Sequence, residues 1–148
     1  MKQKLYIACD HGGVELKALL VEKFGDQIDW VDLGTNTSDS VDYPDYAAKL
    51  AQAVKAEGCE GIAGVLICGS GIGISIAANR FPWIRAALCT SVQMATLARQ
   101  HNDANVLVLG ARITDNQTAE NCLDAFLNTD FEGGRHSVRV AKLAPIQK

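Results

Sequence analysis

The sequence predicts an α/β protein: a three-layer αβα sandwich around a Rossmann-like, five-stranded parallel sheet, with a C-terminal extension. Three observations carry this. Short apolar runs alternate with segments of helical periodicity from end to end. The runs are short and β-branched or apolar, as in strands covered on both faces. No linker, repeat or low-complexity segment interrupts the 148 residues, so one domain over 1–148 is expected.

The elements follow in order. KLYIAC (4–9) reads as a buried strand, and VELKALLVEKF (14–24) puts Leu16, Leu19, Leu20 and Phe24 on one helical face. IDWVDL (28–33) is the second strand. A polar loop then runs to Pro44, which suits the first turn of a helix closed by Gly58. IAGVLIC (62–68) is the third strand, and ISIAANRF the helix after a glycine loop. IRAALC (84–89) is the fourth strand. Ser91 N-caps the next helix, where Met94, Leu97, Ala98 and His101 form one stripe. ANVLVLG (104–110) is the fifth strand, and 114–128 the helix after it. The basic tail from Phe131 predicts a short helix disturbed by Pro145.

Composition narrows the function. The chain is 48% hydrophobic, which indicates a packed core, but no apolar run approaches the ~20 residues of a membrane span. The apolar segment near the N-terminus is too short for a signal peptide, so a cytoplasmic location is the expectation. Net charge is −3, and nothing favours nucleic-acid binding. Five cysteines without CxxC spacing argue against a disulfide framework, a redox pair and structural zinc.

In a parallel sheet, ligands gather beyond the C-terminal strand ends. There the chain places Asp10 and His11, then Asp42 and Tyr43, then Cys68 with Gly69, Ser70, Gly71 and Gly73, then Thr90 and Ser91, and last Arg112. The glycine loop suggests a phosphate, yet the known loops fail. A P-loop lacks its lysine, a dinucleotide fingerprint its spacing and acidic residue, and a cysteine phosphatase its arginine, because Ile74 stands there. What survives is a thiol beside backbone N–H groups at a helix start, a place that favours a thiolate and stabilises an oxyanion. A base beside an oxyanion hole suits proton abstraction next to a carbonyl. Cys68 reads equally as a small buried hydrophobe. His101 reads also as a dipole-complementing residue in the last helical turn, and Asp10, His11 and Tyr43 as turn or packing residues. Arg135, His136 and Arg139 together suggest a phosphate clamp.

The motifs CDHGG, DYPDYA, LICGSGIGISIAANR, IRAAL, ARQHNDANVLVLGAR and EGGRH followed by Arg139 run nearly the length of the chain. In them the chain resembles the type B ribose-5-phosphate isomerases, a family shared with allose-6-phosphate and galactose-6-phosphate isomerases. The resemblance implies a cytoplasmic aldose–ketose isomerase without metal or cofactor, a homodimer or dimer of dimers. It implies that Cys68 moves a proton between C2 and C1 and that the loop Gly69, Ser70, Gly71, Ile72 and Gly73 binds the enediolate rather than a phosphate. Ser70 would assist there. It further implies that His101 assists ring opening and that Asp10, His11, Tyr43 and Asn102 touch the sugar. Arg112, Arg135 and Arg139 would hold the phosphate. Members without this cysteine use a glutamate where Ile74 stands. A six-carbon sugar phosphate or a non-catalytic sugar-phosphate sensor are the alternative readings.

One expectation concerns assembly. Cys68 ends a strand, whereas the helix bearing His101 starts at that same edge and runs back, ending roughly 15 Å away at 1.5 Å per residue. The two groups should therefore meet only across an isologous dimer, with active sites shared between subunits.

Overall fold

The computed structural model describes residues 2–58 and 60–143. Cys59 and Pro145 lie outside them. The chain runs β1 (Gln3–Cys9), a single 3-10 turn (His11–Gly13), α1 (Val14–Lys23), β2 (Ile28–Asp32), α2 (Tyr43–Glu57), β3 (Gly64–Cys68), α3 (Ile72–Ala78), β4 (Ala86–Leu88), α4 (Val92–Asn102), β5 (Val106–Gly110), α5 (Asn116–Leu127) and α6 (Arg135–Ala141). All strands pair in parallel, in the order β2-β1-β3-β5-β4.

Side chains of each strand alternate between two cores. One face carries Leu5, Ile7, Val65, Ile67, Leu107 and Leu109, covered by Leu16, Leu20, Ala95, Cys122, Leu123 and Phe126 from α1, α4 and α5. The other carries Tyr6, Ala8, Leu66, Cys68, Val106 and Val108, covered by Leu50, Ala51, Val54, Ile74 and Ala78 from α2 and α3. Each fully buried Leu or Ile contributes about 1.5–3 kcal/mol, which makes the sheet a stiff platform for the loops at its ends.

Local chemistry explains the boundaries. Gly58 ends α2 in the left-handed region at φ 64°, and Ser91 Oγ accepts the Met94 N–H to start α4, both as the sequence predicts. Other boundaries differ, and for three of them the local cause is visible. α3 starts at Ile72, because Gly71 at φ 79° turns the chain directly into it. α5 is capped by Asp115, whose carboxylate accepts the Thr118 N–H at 2.7 Å, so Thr114 precedes the helix. β4 shrinks to Ala86–Leu88 because the Arg85 N–H is diverted to Asn105 Oδ1.

The stripe on α4 needs correction. Ala95, Ala98 and Arg99 face inward, whereas Met94 and Leu97 remain 42% and 37% exposed. Small alanines let the helix lie close to α5. The Arg99 guanidinium fills the remaining space, donating to Ala104 O at 2.6 Å, Thr129 O and Asp103. No described helix is long and apolar enough to cross a membrane.

Candidate active site

The chain leaves β1 for β2 on one side and takes β3 on the other, so a switch point lies between β1 and β3. Their C-terminal ends carry Asp10 and Cys68. Asp10 is buried, and its carboxylate accepts the Gly12 N–H at 2.9 Å, which fixes the turn bearing His11. A Cβ on Gly12 would lie 3.3 Å from the Gly69 nitrogen, so the first turn and the cysteine loop touch. The Val41 N–H donates to His11 Nδ1 at 3.2 Å.

Close backbone approach shapes the loop Gly69–Gly73. A Cβ on Gly110 would come 2.3 Å from the Ser70 carbonyl oxygen, and one on Gly73 would strike the Tyr43 ring at 2.6 Å. The Tyr43 ring therefore lies over Gly73, and Arg112 over Gly69, where a Cβ would be 3.3 Å from Nη1. Asp10, His11, Tyr43, Cys68, the loop and Arg112 thus form one cluster.

Within it, Cys68 is 4% exposed and its Sγ accepts the Gly71 N–H at 3.1 Å. An N–H aimed at sulfur pairs more strongly with an anionic sulfur than with a neutral one. Cys9 and Cys89 do the opposite, donating to Thr35 O and Ala87 O. Burial pushes the Cys9 thiol up to about 11 and the Cys89 thiol up to about 12, and raises Cys122 too, so these three stay protonated and inert. The described cysteines are all free. Ser70 Oγ accepts the Ile72 N–H, while the N–H groups of Ser70 and Gly73 have no acceptor among the described residues. Two unclaimed donors beside a sulfur can stabilise negative charge on a bound oxygen.

His101, Asn102, Arg135 and Arg139 are not in that cluster. They stand at the N-terminal strand ends, where α4 meets α6. The register from Gly64–Val106 to Cys68–Gly110 puts the two edges about 13 Å apart at 3.3 Å per residue. A cavity of about 260 Å³ is lined by His101, Asn102, His136, Arg139, Val140 and Leu143. A larger one, about 580 Å³, adjoins it along Asn102, Ala104, Val140, Ala141 and β4. The arginines expected to act together are thus split, Arg112 at one edge and Arg135 with Arg139 at the other.

The His101 and His136 rings stack with centroids 4.3 Å apart and planes 12° apart. Both Nε2 atoms lie near Glu132 Oε1, at 3.8 and 3.7 Å. Burial holds His136 below the usual histidine range, helped by His101, Arg135 and Arg139 and opposed by Glu132. The three ligand atoms lie within 4.8 Å of one another. Stacked rings, however, run their in-plane lone pairs side by side rather than toward one tetrahedral point, so the trio is arranged for ion pairing rather than for a metal. Glu132 belongs to the quoted EGGRH motif yet had no role in the sequence reading. Only its spacing of four residues before His136 signals the contact.

A model described as Ribose/Galactose Isomerase matches residues 5–143. Ribose-5-phosphate isomerase B of Escherichia coli is 43% identical over 147 residues, covering 99% of this chain and 97% of that one. The crystal structure of a ribose 5-phosphate isomerase from Thermotoga maritima is 46% identical with TM-score 0.91, covering 97% of this chain and 99% of that chain. Ribose-5-phosphate isomerase B from Mycoplasma genitalium, solved with bound ribulose-5-phosphate, is 42% identical with TM-score 0.90, covering 97% and 95%. The match over residues 5–143, with 43% identity across 99% of the chain to a ribose-5-phosphate isomerase B, makes the chain an isomerase belonging to the Ribose/Galactose Isomerase family.

Proposed function

We propose that this enzyme interconverts ribose 5-phosphate and ribulose 5-phosphate through a cis-enediolate. The observation that carries the reading is the Cys68 sulfur, which accepts the Gly71 N–H beside two N–H groups without acceptors. The similarity to a structure with bound ribulose-5-phosphate supports the choice of substrate.

In this reading His101 opens the furanose ring by moving a proton between its hydroxyl and the ring oxygen. The Cys68 thiolate removes the proton from C2. The electrons pass to the carbonyl oxygen at C1, where loop amides and the Ser70 hydroxyl stabilise the oxyanion. The thiol returns its proton to C1 while the C2 hydroxyl proton passes to O1, which leaves the carbonyl at C2 and a hydroxyl at C1. Asp10, His11, Tyr43 and Asn102 contact the sugar, and Arg112, Arg135 and Arg139 hold the phosphate. No step calls on a metal or organic cofactor.

His101 and Asn102 come from a second subunit. Their separation from their own Cys68 supports this. So do the exposed apolar side chains Val92, Met94 and Leu97 on α4 and Val138 on α6, which a second copy would cover.

The test is ketose formation from ribose 5-phosphate and, in parallel, from allose 6-phosphate. The proposal expects faster turnover of the pentose. The family's description includes galactose, so the hexose arm has a specific motive. Equal or faster turnover of the hexose would reassign the substrate, and no ketose from either would reject catalysis on both.

A further inference from the structure

Lys17 is the most deeply buried charged side chain among the described residues, 2% exposed. Its position between Leu16 and Leu20 on α1 puts an ammonium on an apolar face. Its Nζ donates to both carboxylate oxygens of Asp32, at 2.7 and 2.6 Å, and to Oδ1 of Asn36 at 2.5 Å. Three N–H donors thus meet three acceptors, the condition under which a buried ammonium is tolerated. The same carboxylate accepts the Gly34 N–H at 2.8 Å.

These partners lie at the end of β2 and on the connection that follows it to α2. Its start continues the ladder on β1, through Leu33 N–H to Ile7 O and Thr35 N–H to Cys9 O, each 2.9 Å. Its far end delivers the Val41 N–H to His11 Nδ1. Lys17 and His11 stand on one side, in α1 and the turn that opens it. Asn36 and Val41 stand on the other. The two contacts form a clasp.

A ring nitrogen that accepts an amide N–H carries no proton, so neutral His11 holds its proton on Nε2. Nε2 has no hydrogen-bond partner among the described residues. We propose that Lys17 is a positioning residue whose tie to Asp32 and Asn36 holds this connection in register. The Val41 amide then keeps His11 as the Nε2–H tautomer, a donor aimed at a sugar-phosphate oxygen. The identity of that oxygen's owner rests on the isomerase reading; the tautomer does not.

Nitrogen-15 NMR of the ligand-free protein reads the tautomer directly. In the wild type, Nδ1 should show the shift of an unprotonated nitrogen and Nε2 that of a protonated one. In Asn36→Ala, an exposed change that leaves the core intact, the two shifts should move toward each other. KM for ribose 5-phosphate should rise about three- to tenfold, as losing one oriented hydrogen bond implies, with kcat little changed. Asn36→Asp keeps the acceptor and should restore both readouts. Lys17→Met should reproduce Asn36→Ala more strongly, and if it does not fold, Asn36→Ala decides. His11 shifts unchanged in Asn36→Ala would overturn the proposal. A wild type inactive on ribose 5-phosphate would sink the functional reading and leave the NMR result standing.

Discussion

At the C-terminal strand ends the backbone does the positioning; at the N-terminal ends side chains do. Gly71 and Gly110 bring main chain so close that a Cβ would lie 2.5 Å from Leu88 Cδ1 or 2.3 Å from the Ser70 oxygen. Amides held that way need no reorganisation when charge develops beside them. The other edge is built from a stacked histidine pair, an exposed glutamate and two exposed arginines on a short helix. Such a cluster can hold a charged ligand and move protons, but it has no fixed row of donors. On the proposed reading, each edge carries half of what an isomerase of a sugar phosphate needs. On that reading one chain contains two half-sites that face apart.

The sharpest way to break the comparison is to remove the proposed base. Cys68→Ala should lower kcat by about 10²–10⁴-fold, the usual cost of losing a general base. Thermal unfolding should move little, because the change deletes one sulfur at the mouth of a loop. Near wild-type turnover would reduce Cys68 to packing and leave the backbone edge without its chemistry.

Complementation tests whether the two half-sites meet between subunits. Cys68→Ala and His101→Ala proteins, each inactive, are mixed and allowed to exchange. In a mixed dimer one pocket carries both lesions and the other neither. With random exchange roughly a quarter of all pockets should be intact, and activity should return to that level. If mass spectrometry shows exchange and activity stays at the parental level, the site is built within one chain.

The two regions also differ in how far the sequence revealed them. The backbone edge was legible because glycines at alternate positions after an apolar run announce a tight strand-to-helix turn, and a cysteine in front of them is conspicuous. The fold was legible for a similar reason: the apolar runs and the helices between them appear at the expected places in all five units. The side-chain edge was harder to see. His101 and His136 are 35 positions apart, and nothing in either segment alone predicts that their rings stack. Arg112 looked equivalent to Arg135 and Arg139 until the strand direction separated them. The α4 stripe misled because Met94 and Leu97 read as core by residue type, while Arg99, which its hydrogen bonds bury, stood outside the stripe. Lys17 had no place in the apolar face read on α1: periodicity marks the face, but only three-dimensional partners tell whether a charge can enter it.

A smaller effect sharpens the role of the charged edge. Arg135→Ala or Arg139→Ala should raise KM for ribose 5-phosphate about tenfold, the loss expected from one charge-assisted hydrogen bond. Phosphate binding is largely shared by ground and transition states, so kcat should change less. Arg112→Ala, at the other edge, offers a direct comparison. Unchanged KM and kcat in both tail variants would remove Arg135 and Arg139 from the phosphate site.

The smallest expected effect is on stability, and it separates the edges by pH. Burial, His101, Arg135 and Arg139 hold the folded-state value of His136 below the unfolded one, with Glu132 opposing them. A depressed histidine binds fewer protons in the native state than in the unfolded chain. The linked stability is therefore fully present above the unfolded value of about 6.5 and is lost as pH falls through the folded value. The melting temperature should decline from pH 7.5 to 5 in the wild type, and the decline should be shallower in His136→Asn, which cannot take up the proton. Asp115 contributes at lower pH through its cap on α5, so the window above pH 5 isolates the histidine. If wild type and His136→Asn melt in parallel across this range, the α4–α6 contact does not respond to protonation, and the histidine stack holds its arginines by packing alone.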